Sequence, residues 1–309
     1  MPELPEVEIV KRGLNQLTLN KKIVGGEVLL ERTVAHPISV GDFLGGLQGK
    51  AITGWHRRGK YLLAQLYKWD TKTPKLTQLK EKQDGWLGVH LRMTGQLLWV
   101  KPEESLHKHT RVRIFFGDRS SGSEGHPTDE LRFVDQRTFG QMWGVPPATE
   151  ISHIITGLKK LGPEPFSPEF CLEYLTNKLD KRHRAIKTAL LDQTTIAGLG
   201  NIYADEALFL SGIRPTTLCK DLTETQIEQL HIAILKVLQN SIDAGGTTFS
   251  NFLNVKGVNG NYGGVAWVYN RAGQPCRICD TSLEKIKLAG RSTHFCPQCQ
   301  LDSASSLPL

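Results

Sequence analysis

Residues 276–299 read CRICDTSLEKIKLAGRSTHFCPQC, and this stretch carries the most specific structural signal in the chain. It contains two Cys-x-x-Cys pairs, Cys276 with Cys279 and Cys296 with Cys299, separated by sixteen residues. Two such knuckles supply the four thiolates that tetrahedral zinc prefers, at the spacing of a zinc ribbon. The pattern therefore predicts one Zn²⁺ ion in a structural role, because four protein ligands leave no position open for water.

The residues between the cysteine pairs predict a β-hairpin, with strands over 285–288 and 292–295 around Ala289-Gly290-Arg291. Two disulfides are the alternative use of the four cysteines, and they belong to secreted proteins. The N-terminus has neither the basic region nor the apolar segment of a secretory signal, and no run of 18 apolar residues predicts a membrane span. We therefore expect zinc, no membrane partner and a cytoplasmic protein.

Upstream of the cysteines, the sequence after Pro146-Pro147 has helical patterns. They cover residues 167–180, 185–192, 202–211 and 224–244. Asn201 is the expected N-cap of the third helix, and Thr223 with Gln226 forms a capping box for the fourth. A Gly- and Asn-rich stretch at 251–264 separates these helices from the zinc module.

The first half of the chain has strand patterns, separated by polar loops of which 68–85 and 118–130 are long. The strands are expected over 23–31, 51–67, 86–100, 111–116 and 131–134. One amphipathic helix precedes them, with Pro5 in its first turn and Gly13 helping to end it. The predicted fold class is α+β, with a leading helix and an antiparallel β-sandwich followed by a helical half with a zinc hairpin. The expected domains are 1–146, 152–265 and 266–301, followed by a disordered tail at 302–309.

Composition narrows the class of partner. The 309 residues include 38 Lys and Arg against 31 Asp and Glu, a net charge of +7. A basic protein of this kind favours a polyanionic partner such as nucleic acid.

Two further motifs carry a resemblance to a known family. Residues 1–8 read MPELPEVE and residues 198–206 read GLGNIYADE. Together with the four-cysteine finger, they make the chain similar to the formamidopyrimidine-DNA glycosylases, bacterial repair enzymes for oxidised purines. The resemblance runs from residue 2 to about residue 300. It implies a helix-two-turns-helix element in the second half, a monomer, damaged double-stranded DNA as partner, and association with the nucleoid.

The chemistry of the first residues agrees with this resemblance. Removal of Met1 leaves Pro2 with a secondary amine, and an α-amino group with a pKa of about 8 is partly unprotonated at neutral pH. Such an amine can attack C1′ of deoxyribose and form a cationic iminium, while Glu3 exchanges protons with the sugar or the leaving base. The resemblance implies the same roles, Pro2 as nucleophile and Glu3 as acid and base. The alternative interpretation is a favourable helix start.

Two basic residues complete the expected catalytic set. Lys60 follows Arg57-Arg58-Gly59 at the edge of a strand, where a lysine is usually only solvated. The resemblance implies that it contacts the damaged base or donates a proton during elimination. Arg291 lies at the tip of the hairpin, and the resemblance implies a phosphate contact and a part in δ-elimination.

Seven more residues are expected to contact DNA. The resemblance implies that Met93, Arg137 and Phe139 fill the gap left by an everted nucleotide, although periodicity alone favours core packing for Met93 and Phe139. It also implies that His109 binds phosphate.

The remaining contacts come from the basic cluster at 181–184 and the glycine motif that follows it. Arg182 stands where the family usually has lysine, and Lys187 and Asn201 are further candidates. The glycines at 198 and 200 permit close approach of backbone to a phosphate.

Two other functions fit parts of the sequence. Endonuclease VIII enzymes share the Pro2 and Glu3 chemistry but act on oxidised pyrimidines. Their motif has glycine at the position of Leu4, so Leu4 favours the purine enzymes. The set of Met93, Arg137 and Phe139 favours them as well. A zinc-ribbon DNA-binding protein without catalysis accounts for charge and finger but leaves Pro2, Glu3 and Lys60 unexplained.

Overall fold

A computed structural model describes residues 2–69, 83–117, 127–247 and 254–301 of the chain. The predicted disordered tail lies outside these residues, as do residues 70–82 of the first long loop and residues 118–126 of the second. The described residues form two compact units. The first comprises Pro2, residues 6–159 and residues 254–260, and the second comprises residues 3–5, 160–247 and 261–301.

The first unit combines one long helix with nine strands. Its elements are α1 (Leu4–Leu17, which begins in the second unit), β1 (Lys22–Val28), β2 (Val34–His36), α2 (Val40–Gly45), β3 (Lys50–Arg58), β4 (Tyr61–Lys68), β5 (Gln83–His90), β6 (Gly95–Val100), β7 (Thr110–Gly117), β8 (Asp129–Asp135), β9 (Gln141–Val145) and α3 (Ile151–Ile154). Two predicted strands are each divided by a turn: 51–67 becomes β3 and β4, and 86–100 becomes β5 and β6. Both turns carry expected site residues.

The strands pair in the order β2-β9-β5-β4-β3-β1-β7-β8-β6. One residue pair, Lys22 with Ala51, joins β1 to β3, so this junction separates two halves of the sheet. A single apolar cluster contains Leu62 and Val89 from one half, Val112 from the other, and Val10 from α1. The α+β class with a β-sandwich and a leading helix is confirmed, with one exception: β2 and β9 are parallel.

Gly13 does not end the first helix, which continues to Leu17. A β-carbon added at Gly13 would lie 2.3 Å from Val255 Cγ2. Glycine at this position therefore makes room for Val255, whose carbonyl accepts a hydrogen bond from Trp99 N at 2.9 Å.

The second unit is helical with a terminal hairpin. Its elements are α4 (Leu172–Leu179), α5 (Ile186–Leu191), α6 (Asn201–Leu210), α7 (Glu224–Asp243), β10 (Glu284–Leu288) and β11 (Arg291–Phe295). The capping box of α7 is confirmed, since Thr223 Oγ1 accepts from Gln226 N at 3.2 Å and Gln226 Oε1 accepts from Thr223 N at 3.0 Å. The predicted hairpin is confirmed as well. No helix in the described part of the chain is both long and apolar enough to span a bilayer.

Candidate active site and nucleic-acid interface

Glu3 lies at the N-terminus of helix α6. Its side chain is buried, and Oε1 accepts a hydrogen bond from Ile202 N at 3.0 Å. Leu4 N donates to Gly198 O at 3.0 Å, so the start of the chain is bound to the Gly-Leu-Gly-Asn motif. The first backbone N–H groups of a helix have no partner within it and form its positive end. The Glu3 carboxylate supplies that partner.

The glycines of this motif make the contact possible. A β-carbon added at Gly200 would lie 2.2 Å from Glu3 Cδ, and one at Gly198 would lie 2.8 Å from Leu4 Cβ. Gly198 also has a positive φ of 88°. The glycine motif predicts close approach of a phosphate, whereas in the structure these glycines make room for Glu3 and Leu4.

The same contact corrects the predicted N-cap of α6. Gly200 takes the cap position, and the helix begins at Asn201. The Asn201 side chain instead donates from Nδ2 to Ser292 O on the finger hairpin at 2.9 Å. The capping carboxylate comes from a residue 199 positions away, which no local pattern reveals.

Lys60 lies in the tight turn between β3 and β4, where it is 7% exposed. The preceding Gly59 has a φ of 56°, and its carbonyl accepts from Arg57 Nη1 at 3.1 Å. Arg57 Nε also donates to Glu8 Oε2 on α1 at 3.1 Å. The Glu8 and Arg57 side chains therefore join α1 to the turn that carries Lys60.

His90 is a residue near Lys60 that the sequence analysis did not identify. It is buried at the end of β5, its Nδ1 accepts from Arg92 N at 2.9 Å, and its ring meets that of Tyr61 edge-on at 4.6 Å. Burial, followed by the charges of Arg92 and Lys60, lowers the pKa of His90 to about 3. The imidazole is therefore neutral at physiological pH. The sequence signal that could have identified His90 is its place in the segment His-Leu-Arg-Met-Thr-Gly, which also contains the expected site residue Met93.

Three residues expected to enter DNA lie in two neighbouring loops. Phe139 is 52% exposed with the Arg137 guanidinium 5.1 Å from its ring centre, and Met93 is partly exposed in the turn after β5. Thr94 Oγ1 accepts from Arg137 N at 2.9 Å and also bonds the Asp135 carboxylate. The structure thus joins the two loops and keeps Phe139 out of the core.

His109 lies close to the second of these loops, since its carbonyl accepts from Asp135 N at 2.9 Å. Its ring Nδ1 is 3.1 Å from Arg111 Nη2. Desolvation and the charges of Lys108 and Arg111 lower the pKa of His109. A neutral ring of this kind can donate a hydrogen bond to a phosphate.

Lys187 is buried, which corrects the expectation that it contacts DNA. The ammonium is 2.6 Å from Asp205 Oδ1 and donates to Ser292 O at 2.8 Å and to Thr293 Oγ1 at 2.9 Å. One ion pair and two hydrogen bonds therefore hold the ammonium inside the second unit, where it is 1% exposed. The local sequence does not predict this burial. Lys187 comes shortly after the basic residues 181–184, which are exposed or half-buried, and a further lysine there is expected to be exposed as well.

Arg182 and Arg291 lie at the surface of the second unit. Arg182 is half-buried, and its carbonyl accepts from Lys220 N at 3.1 Å. Arg291 is exposed at the start of β11, directly after Ala289 and Gly290, which have φ values of 47° and 77°. Positive φ at both central residues is the signature of a tight hairpin turn, which presents Arg291 at the tip.

Glu206 is a buried acidic residue for which the sequence predicted no role. Oε1 accepts from Val268 N and Tyr269 N, both at 2.9 Å, and Oε2 accepts from Trp267 N at 2.8 Å. One carboxylate therefore accepts hydrogen bonds from three consecutive backbone N–H groups shortly before the first zinc-binding cysteine, Cys276.

The four cysteines of the finger converge. All four Sγ atoms lie within 4.8 Å of one another, with Cys276 to Cys299 at 3.8 Å, Cys279 to Cys296 at 3.5 Å and Cys279 to Cys299 at 3.4 Å. Zn–S bonds of about 2.3 Å in a tetrahedron place sulfurs about 3.8 Å apart. The cluster fits one structural zinc ion, as the spacing of the cysteines predicted.

Comparisons with known proteins cover the whole described architecture. Residues 1–142 match the formamidopyrimidine-DNA glycosylase N-terminal domain, residues 161–252 its H2TH domain, and residues 273–301 the zinc finger found in FPG and IleRS. A formamidopyrimidine-DNA glycosylase of Trichodesmium erythraeum is 81% identical over 300 residues, which are 97% of this chain and 100% of that protein.

Solved structures are similar over the same length. A Lactococcus lactis FPG mutant in complex with Fapy-dG containing DNA has a TM-score of 0.83 at 33% identity. MutM in complex with carbocyclic 8-oxo-G containing DNA has a TM-score of 0.82 at 34% identity. Each comparison covers 97% of this chain and 100% of the other.

Proposed function

The chain belongs to the formamidopyrimidine-DNA glycosylase family, and we propose that it is a bifunctional DNA glycosylase and AP lyase of base excision repair. Its substrates are 8-oxoguanine and formamidopyrimidines in double-stranded DNA. The observation that carries this proposal is the Glu3 carboxylate, buried and held by Ile202 N at 3.0 Å, directly beside Pro2. An acid fixed next to a secondary amine fits attack on a sugar, although the same carboxylate also caps helix α6. A purely DNA-binding protein leaves Pro2 and Lys60 without a role.

In the glycosylase step, the Pro2 nitrogen attacks C1′ after removal of Met1 has freed it. The bond between C1′ and the base breaks, and the base leaves with the electron pair and takes up the proton that the Pro2 nitrogen loses. Glu3 protonates the ring oxygen as the sugar opens, giving an iminium between Pro2 and C1′. The helix end that binds Glu3 keeps its carboxyl in place while the proton moves.

In the lyase steps, the iminium acts as an electron sink. Loss of a proton from C2′ breaks the bond between C3′ and its oxygen and releases the downstream strand with a 5′-phosphate. Loss of a second proton, from C4′, breaks the bond between C5′ and its oxygen and leaves a 3′-phosphate on the upstream strand. Water then hydrolyses the sugar remnant from Pro2. Lys60 contacts the damaged base or transfers a proton, and Arg291 binds the phosphate that departs.

Contacts with DNA come from exposed and half-buried residues of each unit. Met93, Arg137 and Phe139 fill the space of the everted nucleotide, which offsets an unstacking cost of a few kcal/mol. His109 and Arg182 bind phosphates. Zinc supplies no chemistry to the reaction and stabilises the hairpin that carries Arg291. We further propose that the protein acts as a monomer in the bacterial cytoplasm, on the nucleoid.

Pro2→Gly and Glu3→Gln test the proposal on a duplex carrying 8-oxoguanine. A primary amine forms a neutral imine that must first be protonated, and a glutamine donates no acidic proton. Each variant should cut the strand at least about 100-fold more slowly while binding an abasic-site analogue with unchanged affinity. Cleavage at the wild-type rate in both variants contradicts the assigned roles. Binding without any cleavage by wild type supports the non-catalytic alternative.

A further inference from the structure

We propose that Asp205 is a positioning residue that fixes the finger hairpin, and with it Arg291, on helix α6. The inference rests on the proposed function, because it concerns the elimination steps in which Arg291 takes part. Asp205 has no assigned role in the reaction described above. It is fully buried, one turn along α6 from the end that binds Glu3.

The Asp205 carboxylate bridges two elements. Oδ2 accepts from the backbone N–H of His294 at 2.9 Å and lies 3.1 Å from His294 Nδ1. Oδ1 lies 2.6 Å from the ammonium of Lys187 on α5. Asp205 therefore joins β11 to both helices through one carboxylate.

Lys187, the ion-pair partner of Asp205, also binds the finger hairpin. Lys187 donates to Ser292 O and Thr293 Oγ1, and Asn201 donates to Ser292 O as well. Side chains of α5 and α6 thus hold each of the three residues that follow Arg291. The two-residue turn on its other side leaves Arg291 little freedom except in its own side chain.

Burial makes the ion pair essential to this arrangement. Lys187 and Asp205 are 1% and 0% exposed, and a buried charge that loses its partner is strongly destabilising. The pKa of Lys187 is lowered by its burial, an effect opposed by Asp205 and Glu3 and reinforced by Arg291. The charges of Glu3 and Arg291 therefore both act on this ammonium. Helix α6 binds Glu3 through the backbone N–H of Ile202. It binds the hairpin that carries Arg291 through the Asp205 side chain.

Asp205→Asn tests the inference, with Asp243→Asn as the matched control. Asp243 is an exposed carboxylate of α7 in the same unit, bonded to Gln239. On an abasic-site duplex, the ratio of δ- to β-elimination products should fall about tenfold in Asp205→Asn, as in Arg291→Ala, because a small displacement of a catalytic group is costly. Borohydride trapping per bound enzyme should stay within about twofold of wild type, because Pro2 is untouched.

Thr293→Val provides the test if Asp205→Asn does not fold. It removes one acceptor of Lys187 at constant shape, and it should shift the product ratio in the same direction by a smaller factor. An unchanged ratio in a folded variant overturns the inference, as does a loss of trapping and both eliminations in equal proportion. Absence of trapping and cleavage in wild type instead defeats the proposed function, so the two failures are distinguishable.

Discussion

At the residue scale, two glycines and one histidine set the geometry around the proposed acid and lysine. Gly200 leaves space for the Glu3 carboxyl, and Gly198 does the same for Leu4. His90 is buried next to Lys60 and accepts the backbone N–H that shapes the turn carrying Met93. Sequence motifs predict the roles of Glu3 and Lys60, but the contacts that hold these two residues join segments that are distant in the sequence.

Gly200→Ala should slow base excision by at least about tenfold. The added β-carbon would lie 2.2 Å from Glu3 Cδ, which is too close, so the Glu3 carboxyl must move. Gly45→Ala is the control, since a β-carbon there meets no atom within 4 Å. Single-turnover excision of 8-oxoguanine measures the effect. Equal rates in both variants show that the carboxyl tolerates displacement.

The buried neutral His90 should make stability sensitive to acid. Its pKa of about 3 lies below the ordinary value of 6.5, so the unfolded state binds the proton more readily. The free energy of unfolding therefore decreases as pH falls through 6.5, by about 2 kcal/mol for this group between pH 7.5 and pH 5. His90→Asn keeps an acceptor near Nδ1 but does not titrate. Denaturant unfolding measures the free energy of unfolding of both proteins at pH 7.5 and pH 5. Its decrease should be about 2 kcal/mol smaller in His90→Asn than in wild type. Equal decreases in the two proteins refute the low pKa of His90.

At the element scale, sequence predicted what local signals specify. The capping box at Thr223 and the hairpin at 285–295 depend on residues a few positions apart, and both were predicted correctly. The N-cap of α6 and the role of Lys187 were not, because Glu3 and Asp205 reach them from other elements. Strands β2 and β9 were missed for the same reason, since their pairing joins distant short segments.

The Glu8 and Arg57 link between α1 and the Lys60 turn gives a prediction at this scale. Arg57→Met should lower the free energy of unfolding by about 2 kcal/mol, because Glu8 and Gly59 O both lose a largely buried donor. It should also slow strand cleavage.

Arg12→Met is the control for this link. Arg12 contacts the same Glu8 carboxylate at 3.0 Å but is 53% exposed and does not bind the turn, so its loss should cost under about 0.5 kcal/mol. Denaturant unfolding and cleavage rates measure both variants. A cleavage rate reduced equally by the two substitutions means that Arg57 does not act through the turn.

At the scale of the whole molecule, the net charge of +7 fits a DNA partner whose phosphates dominate affinity. The logarithm of the association constant should fall linearly with the logarithm of salt concentration, with a slope of about −0.9 per phosphate contact. Arg182→Ala should reduce the size of this slope by about 1. Lys236→Ala, which removes an exposed charge of α7 outside the assigned contacts, should leave it unchanged. Equal slopes for Arg182→Ala and wild type exclude the contact.

The central claim is that Pro2 forms a covalent intermediate with the sugar of an oxidised purine. Borohydride reduction of the wild-type protein on an 8-oxoguanine duplex, followed by peptide mapping, tests it most directly. We predict a trapped adduct on Pro2 in protein whose mass shows that Met1 is absent. Trapping on thymine glycol alone would move the substrate to oxidised pyrimidines. An adduct on Lys60, or none on any damaged duplex once Met1 is absent, would contradict the claim.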